Sequence, residues 1–326
     1  MTAGKDLCWF LQTRTEALLT LGARRRLMRR MRQAAKSPVL DWVEAVLWAA
    51  CVVLIVNQYL LQAYRIPSAS MADTLLVGDM IFVDKLSFGP ELLPGVVKTP
   101  GLAEPRRGQI VVFENPSYLQ RGPLYSILQQ TLYMLSLTLL DIDRDEGGSP
   151  RVHYLIKRAV GMPGDRLRIE RGELSLRFAG APGWISEAEY KAGSGQDYGS
   201  HRSLEPGVYP AIEAFGRAAA YGDSGLPVPA ALAAMGGESA AQKDLFAFDS
   251  ARVRTMYAMH PQDFRYASAA RRYAAGWYIP EGRVFPMGDN RDNSRDARYF
   301  GTVAERKVLG KALFIYWPLV RAGSVR

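Results

Sequence analysis

Residues 154–165 read Tyr-Leu-Ile-Lys-Arg-Ala-Val-Gly-Met-Pro-Gly-Asp, an apolar β-strand pattern with a lysine inside it. Side chains alternate between the two faces of a strand, so Lys157 can be buried without the neighbouring Arg158 beside it. Burial disfavours the ammonium form, and a lysine acting as a base needs its pKa lowered from about 10.4 by roughly 2 to 3 units. The alternative is a strand-edge lysine whose amine reaches solvent.

Short β patterns surround this stretch and predict a mainly β domain. Arg171-Gly172 separates two runs of alternating apolar and polar residues, which indicates a hairpin. The patterns predict an antiparallel sheet, with strands within 79–86, 109–113, 167–178, 283–286 and 312–317. Residues 179–275 are rich in Ala, Gly and Pro and predict an inserted subdomain or long loops.

A second interruption, at 117–150, contains the leucine-rich stretch 124–140. Six Ser, Thr and Gln residues are spread through that stretch. It could be a second membrane span, but one extra crossing would put Lys157 and Ser70, the candidate base and nucleophile of the chemistry proposed below, on opposite sides of the bilayer. We therefore predict an amphipathic, membrane-proximal helix that rests on the lipid surface or packs on the sheet.

The formal net charge of +9 is concentrated at the amino terminus. Residues 1–40 hold nine Lys and Arg against Asp6 and Glu16, so this segment carries +7 of the total. The distribution argues against a nucleic acid partner and favours anionic lipid heads beside the basic segment. A hydrophobic fraction of 48% is enough to bury a core.

An apolar stretch at 43–61 follows the basic segment directly. About 20 such residues cross roughly 30 Å of hydrocarbon, so we predict one transmembrane helix at 42–62. The alternatives are a buried core helix and a cleavable signal peptide, although the apolar run and its basic lead are long for a signal peptide.

The arrangement of charges also predicts the orientation of the chain. The positive-inside rule places the basic segment 1–41 in the cytoplasm and residues 63–326 on the other side of the membrane. Cys8 precedes the predicted span and Cys51 lies within it, so no disulfide can brace the exported part. Its stability must come from core burial.

Two serines stand in a Pro-led bend just after the predicted span, where residues 65–75 read Arg-Ile-Pro-Ser-Ala-Ser-Met-Ala-Asp-Thr-Leu. A serine nucleophile needs a base. His153, His201 and His260 are scattered and no G-x-S-x-G elbow is present, which disfavours a Ser-His-Asp triad and a zinc site. An S-x-x-K pair also fails, since Asp73 stands three residues after Ser70. Lys157 is the remaining candidate base.

A third segment, 288–301, reads Gly-Asp-Asn-Arg-Asp-Asn-Ser-Arg-Asp-Ala-Arg-Tyr-Phe-Gly. This charged, turn-rich loop could be simple surface. A calcium loop of the EF-hand type would need alternating acidic oxygens and a closing Glu, which the segment lacks.

The three segments, in this order after a membrane anchor, resemble the signature boxes of bacterial type I signal peptidases. Residues 107–113, Arg-Gly-Gln-Ile-Val-Val-Phe, resemble a further box of that family, and with Pro280-Glu281-Gly282 the likeness covers about a fifth of the chain. The resemblance implies a membrane-bound serine endopeptidase that cuts signal peptides from exported preproteins at Ala-x-Ala sites. It implies no metal and no other cofactor.

Residue by residue, the resemblance implies Ser70 as the nucleophile and Lys157 as its general base, with Ser294 orienting the amine. The Ser70 amide and the Ser68 hydroxyl would form the oxyanion hole. Asp289 and Asp296 would pair with Arg158 and Arg298 to hold the loop. Shallow pockets for small substrate side chains would be lined by Ile66, Pro67, Met71, Leu75, Leu155 and Ile156.

The sequence departs from the commonest pattern of the family in three places. Ala69 stands where Gly is frequent, and Ala72-Asp73 stands where a Pro is frequent. The family often has two amino-terminal spans, whereas one is predicted here. None of these differences removes a catalytic group.

The predicted protein is a monomer in the cytoplasmic membrane, with preprotein signal peptides and membrane lipids as partners. Two alternatives remain from the sequence. One is a Ser/Lys protease dedicated to the maturation of a single exported substrate. The other is an inactive, membrane-tethered binding homologue, which would be indifferent to the loss of Ser70 or Lys157.

Overall fold

The computed structural model describes most of the chain after residue 36, namely 37–93, 97–118, 151, 153–235 and 244–325, together with positions 15, 16, 20, 22, 23, 26, 27, 122, 125, 128, 129, 132, 142 and 143. The predicted basic segment and the predicted amphipathic helix at 124–140 lie almost wholly outside the described residues. The chain divides into two compact units, Met1–Ile55 and Val56–Arg326.

One long apolar helix, α1 (Pro38–Tyr59), makes up most of the described part of the first unit and continues into the second. Its 22 residues, at about 1.5 Å rise each, and a mean hydropathy of 2.2 make it long and apolar enough to cross a membrane. The helix begins four residues before the predicted span. It also ends earlier, since Leu61 already belongs to a strand.

The second unit is built mainly from antiparallel strands. Within the described residues these are β1 (Leu61–Arg65), β2 (Met80–Asp84), β3 (Glu91–Leu93), β4 (Val97–Lys98), β5 (Ile110–Glu114), β6 (Tyr154–Gly161), β7 (Arg166–Glu170), β8 (Glu173–Arg177), β9 (Ile185–Ser186), β10 (Trp277–Tyr278), β11 (Arg283–Met287), β12 (Val303–Ala304), β13 (Val308–Trp317) and β14 (Gly323–Ser324). The large sheet has the order β1-β2-β13-β5-β6-β11-β12, with β14 added on β13. The predicted mainly β, antiparallel fold is confirmed.

Strand β5 runs through the middle of the large sheet and is buried from Ile110 to Phe113. Ile110 and Val112 belong to one apolar cluster, whereas Val111 and Phe113 belong to another. Alternate residues of a strand face opposite sides, so both faces of the sheet are covered here. The lysine-bearing strand β6 pairs with β5 in register, Lys157 opposite Val111.

A smaller sheet has the order β10-β7-β8-β9. The predicted hairpin is its β7–β8 pair, and the turn residues Arg171 and Gly172 have φ of 47° and 74°. Positive φ at both central positions is the mark of a type I′ turn, whose twist matches that of the flanking strands. Leu167, Leu174 and Leu176 of the hairpin pack with Phe285 of β11, which joins the small sheet to the core.

The insertion at 179–275 is largely helical, and a further short helix follows it in the charged loop. The helices are α2 (Glu187–Ser194), α3 (Tyr209–Asp223), α4 (Ala230–Met235), α5 (Leu245–Met259), α6 (Phe264–Ala275) and α7 (Ala297–Phe300). Ser186 and Glu189 form a capping box at the start of α2, and the Asp244 carboxylate accepts from the Ala247 amide at the start of α5. The insertion is thus a helical subdomain.

Gly161 occupies a position in β6 where the fold leaves no room for a side chain. A Cβ there would lie 2.9 Å from Phe285 Cβ and would also strike Leu167 and Ile279. We expect Gly161→Ala to lower the free energy of unfolding by about 1 to 3 kcal/mol through overpacking. Urea unfolding followed by tryptophan fluorescence measures the change.

Gly183→Ala is the matched control, because a Cβ at Gly183 has no atom within 4 Å. The packing argument is wrong if both alanine variants unfold at the same urea concentration.

Candidate active site

Ser70 lies in a single 3-10 turn, Ala69–Met71, that follows β1. Ser68 before the turn is extended, with φ −137° and ψ 158°. The first N–H groups of such a turn have no acceptor within it, so the Ser70 amide is positioned to bind an incoming oxygen. The Ser68 hydroxyl donates to Ser70 Oγ at 3.4 Å, so the two hydroxyls lie side by side.

The charged loop at 288–301 forms hydrogen bonds to the Ala69–Met71 turn, called the serine turn below. The Asn290 amide donates to the Ser70 carbonyl at 3.1 Å, and Asn290 Nδ2 donates to the Ala69 carbonyl at 3.1 Å. Two bonds from one asparagine therefore hold the backbone at Ala69 and Ser70. Sequence reasoning did not assign Asn290 a role, although it stands within the quoted loop.

Lys157 reaches Ser70 from strand β6. Its Nζ lies 2.6 Å from Ser70 Oγ and donates to the Ile156 carbonyl at 2.9 Å. The lysine is 4% exposed. Desolvation lowers the pKa of Lys157 from 10.5 to about 8, against the opposing charges of Asp296 and Asp289. A substantial fraction of the amine is therefore neutral near pH 8 and can accept the serine proton.

Ser294 is buried beside this pair, but its hydroxyl makes no hydrogen bond in the described part of the chain. The predicted bond to the Lys157 amine is therefore not formed in this structure, where Ser70 and the Ile156 carbonyl are the recorded partners of that amine. Ser294 nevertheless lies close to the serine turn. A Cβ on Gly288 would come within 2.5 Å of both Ser294 Cβ and the Ser70 carbonyl.

Arg158 and Asp289 form a fully buried, two-pronged ion pair. Arg158 Nε donates to Asp289 Oδ1 at 2.7 Å and Nη2 donates to Oδ2 at 2.6 Å. Thr74 Oγ1 donates to the same carboxylate at 2.6 Å and accepts from Arg158 at 3.0 Å. This network joins β6, the segment after Ser70 and the charged loop. Thr74 was missed by the sequence analysis.

Asp296 and Arg298 form the second predicted pair, with Nε–Oδ1 at 2.9 Å and Nη2–Oδ2 at 3.0 Å. Burial alone would raise the pKa of Asp296, but the Arg298 guanidinium and the backbone donors outweigh it, so the pKa is lowered. The Asp296 carboxylate also accepts from the Gly288 amide at 3.0 Å. Arg298 also donates to the Ser294 carbonyl at 3.2 Å, a hydrogen bond within the loop that stabilises its conformation.

The helical insertion supports the same loop through contacts that the sequence did not reveal. Arg291 is 3% exposed and pairs with Glu187 at the start of α2. Asp292 accepts from the Ser203 amide at 2.7 Å and from Arg202 Nε at 2.9 Å. Arg291 and Asp292 belong to the charged loop at 288–301, but no local sequence pattern indicates which residues of the insertion they contact.

The six residues predicted to line substrate pockets occupy different environments. Ile66, Met71 and Leu75 are buried in one apolar cluster, against which Ile156 packs. Leu155 packs on a separate cluster, which contains Val111 and Phe113, and Pro67 is exposed. The structure thus brings four of the six together. Their role in substrate binding stays a prediction.

Comparison with known proteins assigns the family. The sequence model of the family described as "Signal peptidase, peptidase S26" matches residues 39–317. "Signal peptidase I" of Aquifex aeolicus is 27% identical over 81% of this chain and 79% of its own length. The proteins of the same name from Haemophilus influenzae and Pseudomonas aeruginosa are 28% and 27% identical, over 84% and 82% of this chain and 68% and 69% of their own lengths.

These matches define the class of protein as a serine peptidase, in agreement with the enzyme class predicted from the sequence. The chain belongs to the signal peptidase family, peptidase S26. The predicted resemblance is confirmed.

The Arg158–Asp289 pair gives a stability prediction. Asp289→Asn leaves a guanidinium buried without its countercharge, so we expect the free energy of unfolding to fall by about 3 to 5 kcal/mol. Urea unfolding measures it.

Lys307→Gln is the control, since Lys307 and Glu114 form a partly exposed pair at 3.4 Å whose loss should cost under about 1 kcal/mol. Equal destabilisation by both substitutions would contradict the structural role of the buried pair.

Proposed function

We propose that this protein is a membrane-anchored serine endopeptidase that removes amino-terminal signal peptides from exported preproteins. The observation that carries the mechanism is the 2.6 Å contact between Lys157 Nζ and Ser70 Oγ, made by a buried amine whose pKa is lowered to about 8. Family membership supports the substrate class, because the relatives bear the name "Signal peptidase I".

In the proposed reaction, neutral Lys157 takes the Ser70 proton while Ser70 Oγ attacks the carbonyl carbon of the scissile bond. Negative charge develops on the carbonyl oxygen and is stabilised by the Ser70 amide and the Ser68 hydroxyl. The resulting ammonium then gives its proton to the departing amine, which leaves an acyl-enzyme ester on Ser70. The Lys157 amine, neutral again, next activates a water molecule for hydrolysis of that ester.

We place Ser294, Asp289 and Asp296 outside the bond-making steps. Ser294 would orient the Lys157 amine once a bound substrate changes the present hydrogen bonds of that amine to Ser70 and the Ile156 carbonyl. Asp289 and Asp296, with Arg158 and Arg298, would hold the loop that carries Asn290 against the serine turn. No step needs a metal or another cofactor.

We propose that specificity comes from an apolar floor under the serine turn. Ile66, Met71, Leu75 and Ile156, which pack in one apolar cluster, would supply this floor, and exposed Pro67 would lie at its edge; Leu155, predicted to line the same pockets, packs on a separate cluster. A shallow apolar floor accepts Ala and rejects long or charged side chains, which favours Ala-x-Ala sites. Asp73, close to the serine, adds a carboxylate where the common family pattern has none.

The membrane arrangement is also part of the proposal. Helix α1 would span the cytoplasmic membrane once, with the basic segment 1–41 on the cytoplasmic side and residues 63–326 in the periplasm or exterior. Ser70 follows Leu61 by nine residues, which favours a site close to the lipid surface, where a substrate could keep its signal helix in the bilayer. We propose a monomer that contacts anionic lipid through its basic segment.

Cleavage of several unrelated preproteins by the full chain in detergent tests the function. Ser70→Ala removes the nucleophile, and Lys157→Met removes the base while keeping its bulk, so each should lower kcat/KM by roughly 10³-fold or more. Gel analysis and mass spectrometry of the products measure rate and cleavage position.

Ser268→Ala and Lys307→Gln are matched controls, since both positions lie outside the site and should keep full activity. Cleavage of one preprotein only would favour a dedicated maturation protease. Cleavage that survives the loss of Ser70 or Lys157 would refute the mechanism, and no cleavage of any preprotein would favour the inactive binding homologue.

The lysine base predicts a pH profile. Only the neutral amine can take the serine proton, and its fraction rises with pH, reaching one half at the Lys157 pKa of about 8. We expect kcat/KM to fall about tenfold for each pH unit below that value and to level off above it. The assay uses a peptide without groups that titrate between pH 6 and 9. A rate that is flat or falls with rising pH over that range contradicts a lysine base.

A further inference from the structure

Three soft metal-binding side chains meet at the end of α5, far along the chain from Ser70 and Lys157. Met256 and Met259 stand at positions i and i+3 on one face of the last turn of α5, and His260 is the residue at which the helix ends. Two thioether sulfurs and an imidazole nitrogen are thereby presented together. Sequence reasoning had weighed His260 only as a member of a triad or a zinc site.

All three donors point at one atom of the neighbouring helix end. Ser224 Oγ, just after α3, lies 3.4 Å from Met256 Sδ, 3.6 Å from Met259 Sδ and 3.2 Å from His260 Nε2. One hydroxyl proton can serve only one acceptor at a time, and a thioether is a weak acceptor. The convergence is therefore more than a serine needs for its own hydrogen bonding.

We propose that Met256, Met259 and His260 form a binding site for a soft monovalent metal ion of the copper(I) class. Thioether and imidazole ligands select such ions, whereas hard cations prefer carboxylate and carbonyl oxygens. The metal takes the place of the Ser224 hydroxyl, which leaves by rotation about one bond. Metal bonds of about 2.0 to 2.3 Å require each donor to move inward by roughly 1 Å, which flexible methionine side chains allow.

The surroundings favour a soft cation over a hard one. The donors line a surface cavity of about 770 Å³, so an ion can enter from solvent. Two carboxylates also line it, but Asp223 is held by Arg252 at 2.6 Å and Asp263 by Arg265 at 2.7 Å. With these carboxylates paired to arginines, the thioether sulfurs and the imidazole are the soft donors that line the cavity, beside the Gln262 amide. The carboxyl end of a helix further favours positive charge.

The test uses the full chain in detergent with Cys8→Ser and Cys51→Ser, so that thiols do not compete, and with methyl-labelled methionine. Ag(I) is the first probe, because it has the ligand preference of Cu(I) without its redox chemistry; Cu(I) under reducing conditions is the second. We expect one equivalent of either ion to shift the methyl resonances of Met256 and Met259 together. The exposed Met235 of α4 should not shift.

Affinity measurements on variants test whether Met259 and His260 bind the ion. We expect Met259→Leu and His260→Gln each to weaken Ag(I) binding by at least the roughly tenfold loss typical of changes around metal ligands, measured by calorimetry. Met235→Leu is the matched control and should bind as the parent does. Met259 and His260 are less buried than Met256, so their substitution disturbs the packing less. An unchanged methyl resonance of buried Met287 shows that the core of each variant stays folded.

Two results would overturn the proposal. One is that the Met256 and Met259 resonances do not move with one equivalent of Ag(I). The other is that Zn(II) binds as tightly as Ag(I) and is indifferent to Met259→Leu, which would make the cluster a histidine site for harder ions. Preprotein cleavage is not used as a readout, so neither result bears on the Ser70/Lys157 proposal.

Discussion

The removal of the Lys157 amine from water is the constraint on which the rest of the site depends. Lowering its pKa from 10.5 to about 8 corresponds to roughly 3 kcal/mol that protonation would cost the folded state. Because the folded state binds the proton less tightly, this cost is fully present below about pH 8 and vanishes as pH rises above 10.5. The fold must supply that stability elsewhere. Burial of the apolar clusters on the two faces of the sheet around β5 and β6 contributes stability of this kind.

The electrostatics around the Lys157 amine explain why each of the carboxylates near it, Asp289 and Asp296, is paired with an arginine. Asp289 and Asp296 both act to raise the pKa of Lys157, and Arg298 acts to lower it. Bare carboxylates at these positions would keep the lysine charged and useless as a base. Pairing each with a buried guanidinium offsets part of its field and lets the loop use strong charged hydrogen bonds for rigidity, while desolvation keeps the pKa of the amine low.

The sequence predicted those parts of the fold that local chemistry decides. Arg171-Gly172 specified a hairpin because both residues adopt positive φ, and the lysine-bearing strand was visible from its own apolar pattern. Elimination of the other bases left Lys157 as the candidate partner of the serine, but the roles of Ser70 and Lys157 came from the resemblance to a family, since 86 residues separate them and no spacing rule links them. The structure adds the 2.6 Å contact that a linear pattern cannot give.

What the sequence did not predict depends on partners that are distant along the chain. Glu187 looks like an ordinary first-turn acid, yet it neutralises buried Arg291, 104 residues later. Thr74 gives no signal of its own, and its hydroxyl becomes part of a buried network only when β6 and the charged loop close on it. The helices at 179–275 were also unclear, because their small, weakly patterned residues indicate loops as readily as helices.

These distant contacts explain why a helical insertion can be part of a β-sheet active site. The charged loop has few apolar residues, and only its end packs into the core, through Ala297 and Phe300, so the rest of the loop is held by hydrogen bonds. Asp292 takes two of those bonds from the backbone and side chain of the insertion, and Gly199 approaches the Asp289 carboxylate so closely that a Cβ would lie 2.9 Å from Oδ2. The insertion thus restricts the loop whose Asn290 bonds to the backbone at Ala69 and Ser70. The same loop therefore links the position of Ser70 to the helical subdomain, and the chemistry depends on both parts of the fold.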